Sequence, residues 1–189
     1  MRIIAGTYRG LRLKTLGGET LRPTSDQLRE TLFNILGERV RGARFLDVFA
    51  GSGAVGLEAL SRGASGVVFV ERHRSASEVI RKNLLALGVH SGFRVMPSTA
   101  EAAVSRLAED GDRFDFVFLD PPYVEIREYH ATLRECARSS ILMPGAVIIA
   151  EHSRHCHLEE RYGALARFRL LRHGDSQLGF YRIEETQLT

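Results

Sequence analysis

Residues 45–56, FLDVFAGSGAVG, decide the fold. Phe45, Leu46, Val48 and Phe49 make a short apolar run bounded by glycines, which predicts a buried parallel strand feeding a tight turn and then a helix. Gly51, Gly53 and Gly56 fit the G-x-G-x-x-G spacing of nucleotide-binding turns, and Glu71 closes the next apolar run, where a carboxylate can accept from ribose hydroxyls. Asp47 separates the possible ligands. A pyrophosphate binds bare N–H groups at a helix N-terminus, and a carboxylate four residues before Gly51 repels it. A ligand with an ammonium and a sulfonium and no phosphate is attracted instead, and S-adenosylmethionine is such a ligand. The competing explanation is a glycine turn that only lets a helix pack on a strand, with Asp47 capping it.

Working outward, the chain alternates strand and helix patterns, which predicts an α/β fold with a mostly parallel sheet flanked by helices. Strands are expected at Phe45–Phe49, Val67–Glu71, Phe93–Met96, Phe114–Leu119 and Ala146–Glu151, followed by an antiparallel pair, Ala166–Arg172 and Gln177–Ile183, making seven. Helices are expected over Gln27–Val40, Val55–Arg62, Ser75–Leu87, Ala100–Glu109 and Ile126–Ser139, the first capped by Thr24, Ser25 or Asp26. Ahead of them, residues 1–24 predict a β-hairpin extension on a domain spanning 25–189, with Arg12 and Lys14 on its exposed face.

The fourth strand ends in Asp120, Pro121, Pro122 and Tyr123. Two prolines remove two N–H donors and hold the backbone extended, leaving carbonyls free to accept. An exocyclic amine on a nucleobase is a poor nucleophile because its lone pair is delocalised into the ring. Accepting its hydrogens through Asp120 and the Pro121 carbonyl turns that lone pair toward an incoming methyl, and Tyr123 can stack on the base. Ser98 and Thr99 follow the third strand, where many such enzymes place an acid or amide against adenine, so the adenine contact is open. Downstream of the glycine turn, this loop points to amine methylation of a nucleobase. A DNA amino-methyltransferase shares the loop, although no segment resembling a target-recognition domain is visible. Asp47 and the DPPY loop argue against a nicotinamide-dependent oxidoreductase, and the intact loop argues against a catalytically silent RNA-binding module.

Charge is unevenly placed. Residues 1–24 hold Arg2, Arg9, Arg12, Lys14 and Arg22 against Glu19 alone, in a chain whose net charge is only +3, which points to a polyanion partner for that end. No apolar run approaches the roughly 18 residues a membrane span needs. Cys136 and Cys156 lack metal or redox spacing, so a reduced, cytoplasmic setting is expected. Separately, a monomer is expected. His152, His155, Cys156 and His157 match no standard structural zinc pattern, so they are taken as a polar loop and no metal is expected.

With both loops in view, the sequence resembles the class I S-adenosylmethionine-dependent methyltransferases, and within them the bacterial 16S rRNA guanine-N2 methyltransferase D family (RsmD). RIIAGTYRG, LRPTSDQLRETLFNIL, LDVFAGSGAVGLEALSRGA, VFVE and FVFLDPPY carry the resemblance over nearly the whole chain. It implies a Rossmann-like fold and methyl transfer to a guanine amine of small-subunit rRNA. It further implies that Asp47, the loop of Phe49, Ala50, Gly51, Ser52 and Gly53, and Glu71 contact the cofactor, that Asp120 to Tyr123 hold the target amine, and that Thr24, Arg29 and Asn34 border cofactor and substrate.

Overall fold

Strand β1 (Arg44–Val48) lies at the centre of a mixed sheet, paired in parallel with β2 (Gly66–Val70) on one side and β4 (Phe114–Leu119) on the other. The computed structural model from which these positions are taken describes residues 1–15, 25–122 and 124–184. Strand β3 (Phe93–Met96) adds in parallel outside β2, and β5 (Leu142–Ser153) outside β4. Beyond β5 the sheet turns antiparallel through β8 (Ser176–Ile183), β7 (Leu165–His173) and the two-residue β6 (Arg161–Tyr162), giving the order β3-β2-β1-β4-β5-β8-β7-β6. The chain thus has the expected Rossmann-like α/β architecture, with β6 as an eighth strand too short to leave a periodic signal.

Side chains alternate across each strand, so β1 feeds both faces. Phe45 packs with Val67, Phe69 and Phe116 beneath helices α1 (Asp26–Leu36), α2 (Ala54–Ser61) and α3 (Arg74–Ala86). Leu46 and Val48 pack with Val68, Val70 and Leu119 beneath α4 (Ala100–Glu109) and α5 (Ile126–Arg138). These runs are apolar because both faces are covered.

Three expectations are corrected. The first helix stops at Leu36 because Gly37, at φ +56°, turns out of it, and Gly37–Val40 continue as a 3₁₀ turn. Strand β5 begins four residues earlier than expected: Pro144 and Gly145 read as breakers, but they form a bulge that shifts the register between Phe114↔Leu142 and Phe116↔Val147. The N-terminal hairpin is reduced to one bridge, Arg2↔Arg12, with Ile3 N–H donating to Leu11 and Gly10 N–H to Ile3. Its burial explains the difference, since Ile3 and Leu13 enter the core under α1 and α2 instead of building a free ladder.

That docking rests on α2. The fully buried Glu58 carboxylate accepts the Ile4 and Ala5 N–H groups at 2.8 and 3.0 Å and pairs with Arg62 at 2.8 Å and with buried Arg29 at 3.7 Å. Ser61 accepts from Thr7 and Tyr8 through its carbonyl and hydroxyl oxygens, at 2.8 and 3.0 Å. Gly6 approaches so closely that an added Cβ would lie 1.8 Å from the Ser61 carbonyl oxygen. Glu58→Ala strands two amides and leaves Arg29 short of a counter-ion, so urea denaturation is expected to show a loss of about 3 kcal/mol, with Glu58→Gln, which keeps an acceptor, losing less.

Candidate functional site

Val48 and Leu119 sit opposite each other in the β1–β4 register. The glycine turn after β1 and the Asp120-Pro121 loop after β4 therefore leave the same sheet edge one strand spacing, about 4.8 Å, apart.

The turn is tightly specified. Phe49 has φ +65°, the one positive-φ non-glycine among the described residues, and Gly51 and Gly53 follow at +55° and +81°. Ala50 N–H donates to the Val70 carbonyl at 2.9 Å, and Gly53 N–H returns to the Ala50 carbonyl at 2.7 Å. At Gly56 an added Cβ would stand 2.3 Å from the Phe69 ring and 2.8 Å from Val67 Cγ1, so the third glycine is what lets α2 lie against β2.

Asp47 points under the start of α2, where its Oδ2 accepts the Gly56 N–H at 2.9 Å. It is 2% exposed. Burial raises its pKa to about 7, against the Gly56 hydrogen bond, and the Glu71 charge adds to the rise. Glu71 is nearly buried and braces the turn from β2: Oε2 accepts Gly51 N–H at 2.9 Å and Oε1 accepts His73 N–H at 2.8 Å. Each carboxylate oxygen has a further lone pair, so this bracing leaves room for hydroxyl donors.

At the ends of β1, β2 and β3, against α4 and α5, lies a cleft lined by Phe49, Val70, Arg72, Ser98, Thr99 and Glu128. Thr99 caps α4, its hydroxyl accepting from Ala102 N–H at 3.4 Å. Of the expected cofactor residues, Phe49, Ser98 and Thr99 line that cleft, Asp47 lies buried against the start of α2, and Ala50, Gly51, Ser52 and Gly53 form the turn that Glu71 braces; Asp120 is half-buried and Pro121 buried after the end of β4. Pro122 is exposed; Tyr123, Arg22 and Thr24 lie outside the described residues. Arg2, Arg9, Arg12 and Lys14 are exposed and form no ion pair among the described residues, and Asn34 is exposed on α1. Arg29 is corrected: it is fully buried, bonded to the Arg2 carbonyl and to Asp26 at 3.0 Å, and holds the N-terminal segment instead of facing a ligand.

Three contacts escape sequence reasoning. Asn83 on α3 is buried and joins the Ser52 and Lys14 carbonyls, each at 3.0 Å, while accepting Lys14 N–H at 2.8 Å. The buried Tyr129 hydroxyl lies 3.2 Å from the Pro121 carbonyl and 2.7 Å from that of Glu151, fixing the proline loop on α5. Arg72 pairs with Glu125 at 2.5 Å, linking the end of β2 to that loop. The buried, apolar helix face is the only hint of Tyr129, and nothing in sequence spacing marks the other two. Cys136 is fully buried in α5, where desolvation pushes its thiol up to about 12. Of the histidine-rich loop, His152 and Cys156 are buried and His155 and His157 exposed, and no group of three metal-ligating residues forms among the described residues.

The family described as Conserved hypothetical protein 95 matches residues 1–182. Ribosomal RNA small subunit methyltransferase D of Haemophilus influenzae is 39% identical over 156 residues, covering 80% of this chain and 78% of that protein. The chain belongs to this methyltransferase D (RsmD) family. YlbH of Bacillus subtilis is 37% identical over 96% of this chain and 98% of its own length. The solved structure of Escherichia coli yhhF superposes with a TM-score of 0.85 at 32% identity, covering 97% of this chain and 98% of that one. The methyltransferase D family likeness thus spans both loops and the docked N-terminal segment.

Because the folded Asp47 carboxyl titrates near 7 and the unfolded one near 3.8, the folded chain binds the extra proton between those values. Its burial therefore costs stability progressively as pH rises from about 4 to about 7. Asp47→Asn removes the titration and retains an acceptor for Gly56. Denaturation series at several pH values are expected to shift in favour of Asp47→Asn by about 4 kcal/mol across that window.

Proposed function

We propose that this chain transfers the methyl group of S-adenosylmethionine to the exocyclic N2 amine of a guanine in 16S rRNA. The observation that carries this reading is the β1–β4 register, which sets an acid-flanked glycine turn next to Asp120 and Pro121. Relatives named for methylation of small-subunit ribosomal RNA support the substrate class.

The residues present suit the cofactor. Glu71 offers lone pairs for ribose hydroxyls, Ser98 and Thr99 wall the adenine end, and Asp47 places negative charge under the turn, where a sulfonium and an ammonium gain most. The bound donor supplies an electrophilic methyl on positively charged sulfur.

Asp120 and the Pro121 carbonyl accept the two amine hydrogens, directing the nitrogen lone pair at the methyl. Tyr129, within 3.2 Å of the Pro121 oxygen, holds that acceptor in place. The donor would supply the methyl and keep the electron pair of the bond it loses on sulfur, and Asp120 would take the surplus amine proton. Most of the acceleration comes from fixing amine and methyl in line. Tyr123 stacks on the flipped base. Residues 1–24 form an RNA-guiding extension of the domain at 25–189, where exposed Arg2, Arg9, Arg12 and Lys14, together with Arg22, meet phosphates and Thr24 and Asn34 border the site. The partner is rRNA or the assembling subunit, met in the cytoplasm by a monomer.

Asp120→Ala is expected to lower methylation of small-subunit rRNA at least 10²-fold while S-adenosylmethionine still binds by calorimetry. Full activity in that variant removes the assignment of Asp120. Binding of NAD in place of S-adenosylmethionine, or methylation of DNA alone, overturns the proposed reaction.

A further inference from the structure

A second cavity, with Cys156, Leu158 and Leu170 among its lining, opens on the other side of β5 from the proline loop. Its volume is about 190 Å³, and its wall includes His152, Arg154, His157, Arg167, Arg172 and Gln177. Strand register explains the assembly. Gln177 is opposite His152 in β5 and opposite Arg172 in β7, so these three side chains project from one face of the sheet. Ala150 is opposite Leu119 in β4, so His152 stands two positions beyond the level of Leu119, the last residue of that strand before Asp120. The two sites also touch: the His152 ring meets Tyr129 edge-on at 6.3 Å, and the Tyr129 hydroxyl reaches the Pro121 carbonyl.

Charge at the cavity is positive. Arg154 lies 3.3 Å from Asp175 and Arg167 3.2 Å from Glu160, but those carboxylates are largely solvated. Arg172 is exposed and has no ion-pair partner among the described residues. Three guanidiniums therefore face two screened acids.

His152 supplies an independent sign of a ligand. It is 2% exposed, and its Nε2 is buried with no hydrogen-bond partner among the described residues. Its Nδ1 lies 3.0 Å from the Ser153 carbonyl, which can only accept, so Nδ1 carries the hydrogen. In the neutral ring Nε2 is then a bare acceptor. A fully ionised anion gives it nothing, whereas a ribose 2′-hydroxyl next to a backbone phosphate, which has no proton of its own, gives it a donor.

We propose that this cavity binds a backbone phosphate and its adjoining ribose in the RNA substrate, beside the nucleotide delivered to the Asp120-Pro121 loop. The proposal rests on the RNA-methyltransferase reading and adds a contact surface separate from the basic N-terminal segment. The docked strand would be held on both sides of the reacting base, by the N-terminal cations and by Arg154 and Arg172.

The test is a double variant, Arg154→Ala with Arg172→Ala, both at exposed side chains, compared with Arg138→Ala at the far end of α5, where the side chain is 76% exposed. Binding of a small-subunit rRNA hairpin is measured across a salt series, and methylation is measured in parallel. The double variant is expected to bind about tenfold more weakly, with the slope of log affinity against log salt smaller by roughly 1, and to raise KM while kcat holds; Arg138→Ala is expected to match the parent protein. An unchanged slope and KM in the double variant, with the parent protein still methylating RNA, overturns the cavity assignment alone. If titration with inorganic phosphate shows a site lost in the double variant while RNA binding is unaltered, the cavity belongs to free phosphate and the proposal falls. A parent protein that neither binds nor methylates RNA overturns this proposal and the proposed function together.

Discussion

Helix α2 lies against β2 at a distance only a glycine permits, and the rest of the site is arranged around that contact. With no side chain at Gly56, the Phe69 ring and Val67 occupy the space a Cβ would need, and the Gly56 N–H comes within reach of the Asp47 carboxylate below. A buried carboxylate is expensive, and it is tolerated here because it meets a helix N-terminus and a specific amide. The Asp47 carboxylate thus caps the start of α2 from beneath the glycine turn.

The N-terminal segment belongs to the same construction. Glu58 and Ser61, on the outer side of α2, receive the backbone of residues 4–8, while Asn83 ties Lys14 to Ser52 of the glycine turn. The basic segment is therefore mechanically continuous with the turn. Arg29 is enclosed within this join, its cost offset by Glu58, Asp26 and the Arg2 carbonyl. That leaves the exposed cations of residues 2–14 as the part of the segment open to a polyanion.

Much of this was legible in sequence. The central strands are buried on both faces and so appear as unbroken apolar runs, and Phe93–Met96, Phe114–Leu119 and Ala100–Glu109 have the expected bounds. Where expectation and structure part, a local signal was overridden by packing. Pro144 and Gly145 suggested a break, yet a bulge lets β5 continue through them. The Leu11 to Lys14 alternation suggested a ladder, yet Leu13 is drawn into the core and one bridge remains.

Sequence by itself determined the alternating α/β order, the glycine turn with its preceding acid, and the proline loop at a strand end, because each depends on neighbours within a few residues. Tertiary structure alone decided which strand ends lie side by side, that Arg29 is internal, and that Asn83 and Tyr129 hold the two loops. It also brought Arg154 and Arg172 to one cavity with His152. These relations join residues tens of positions apart through sheet register and helix packing, and no local pattern in the chain encodes such distances.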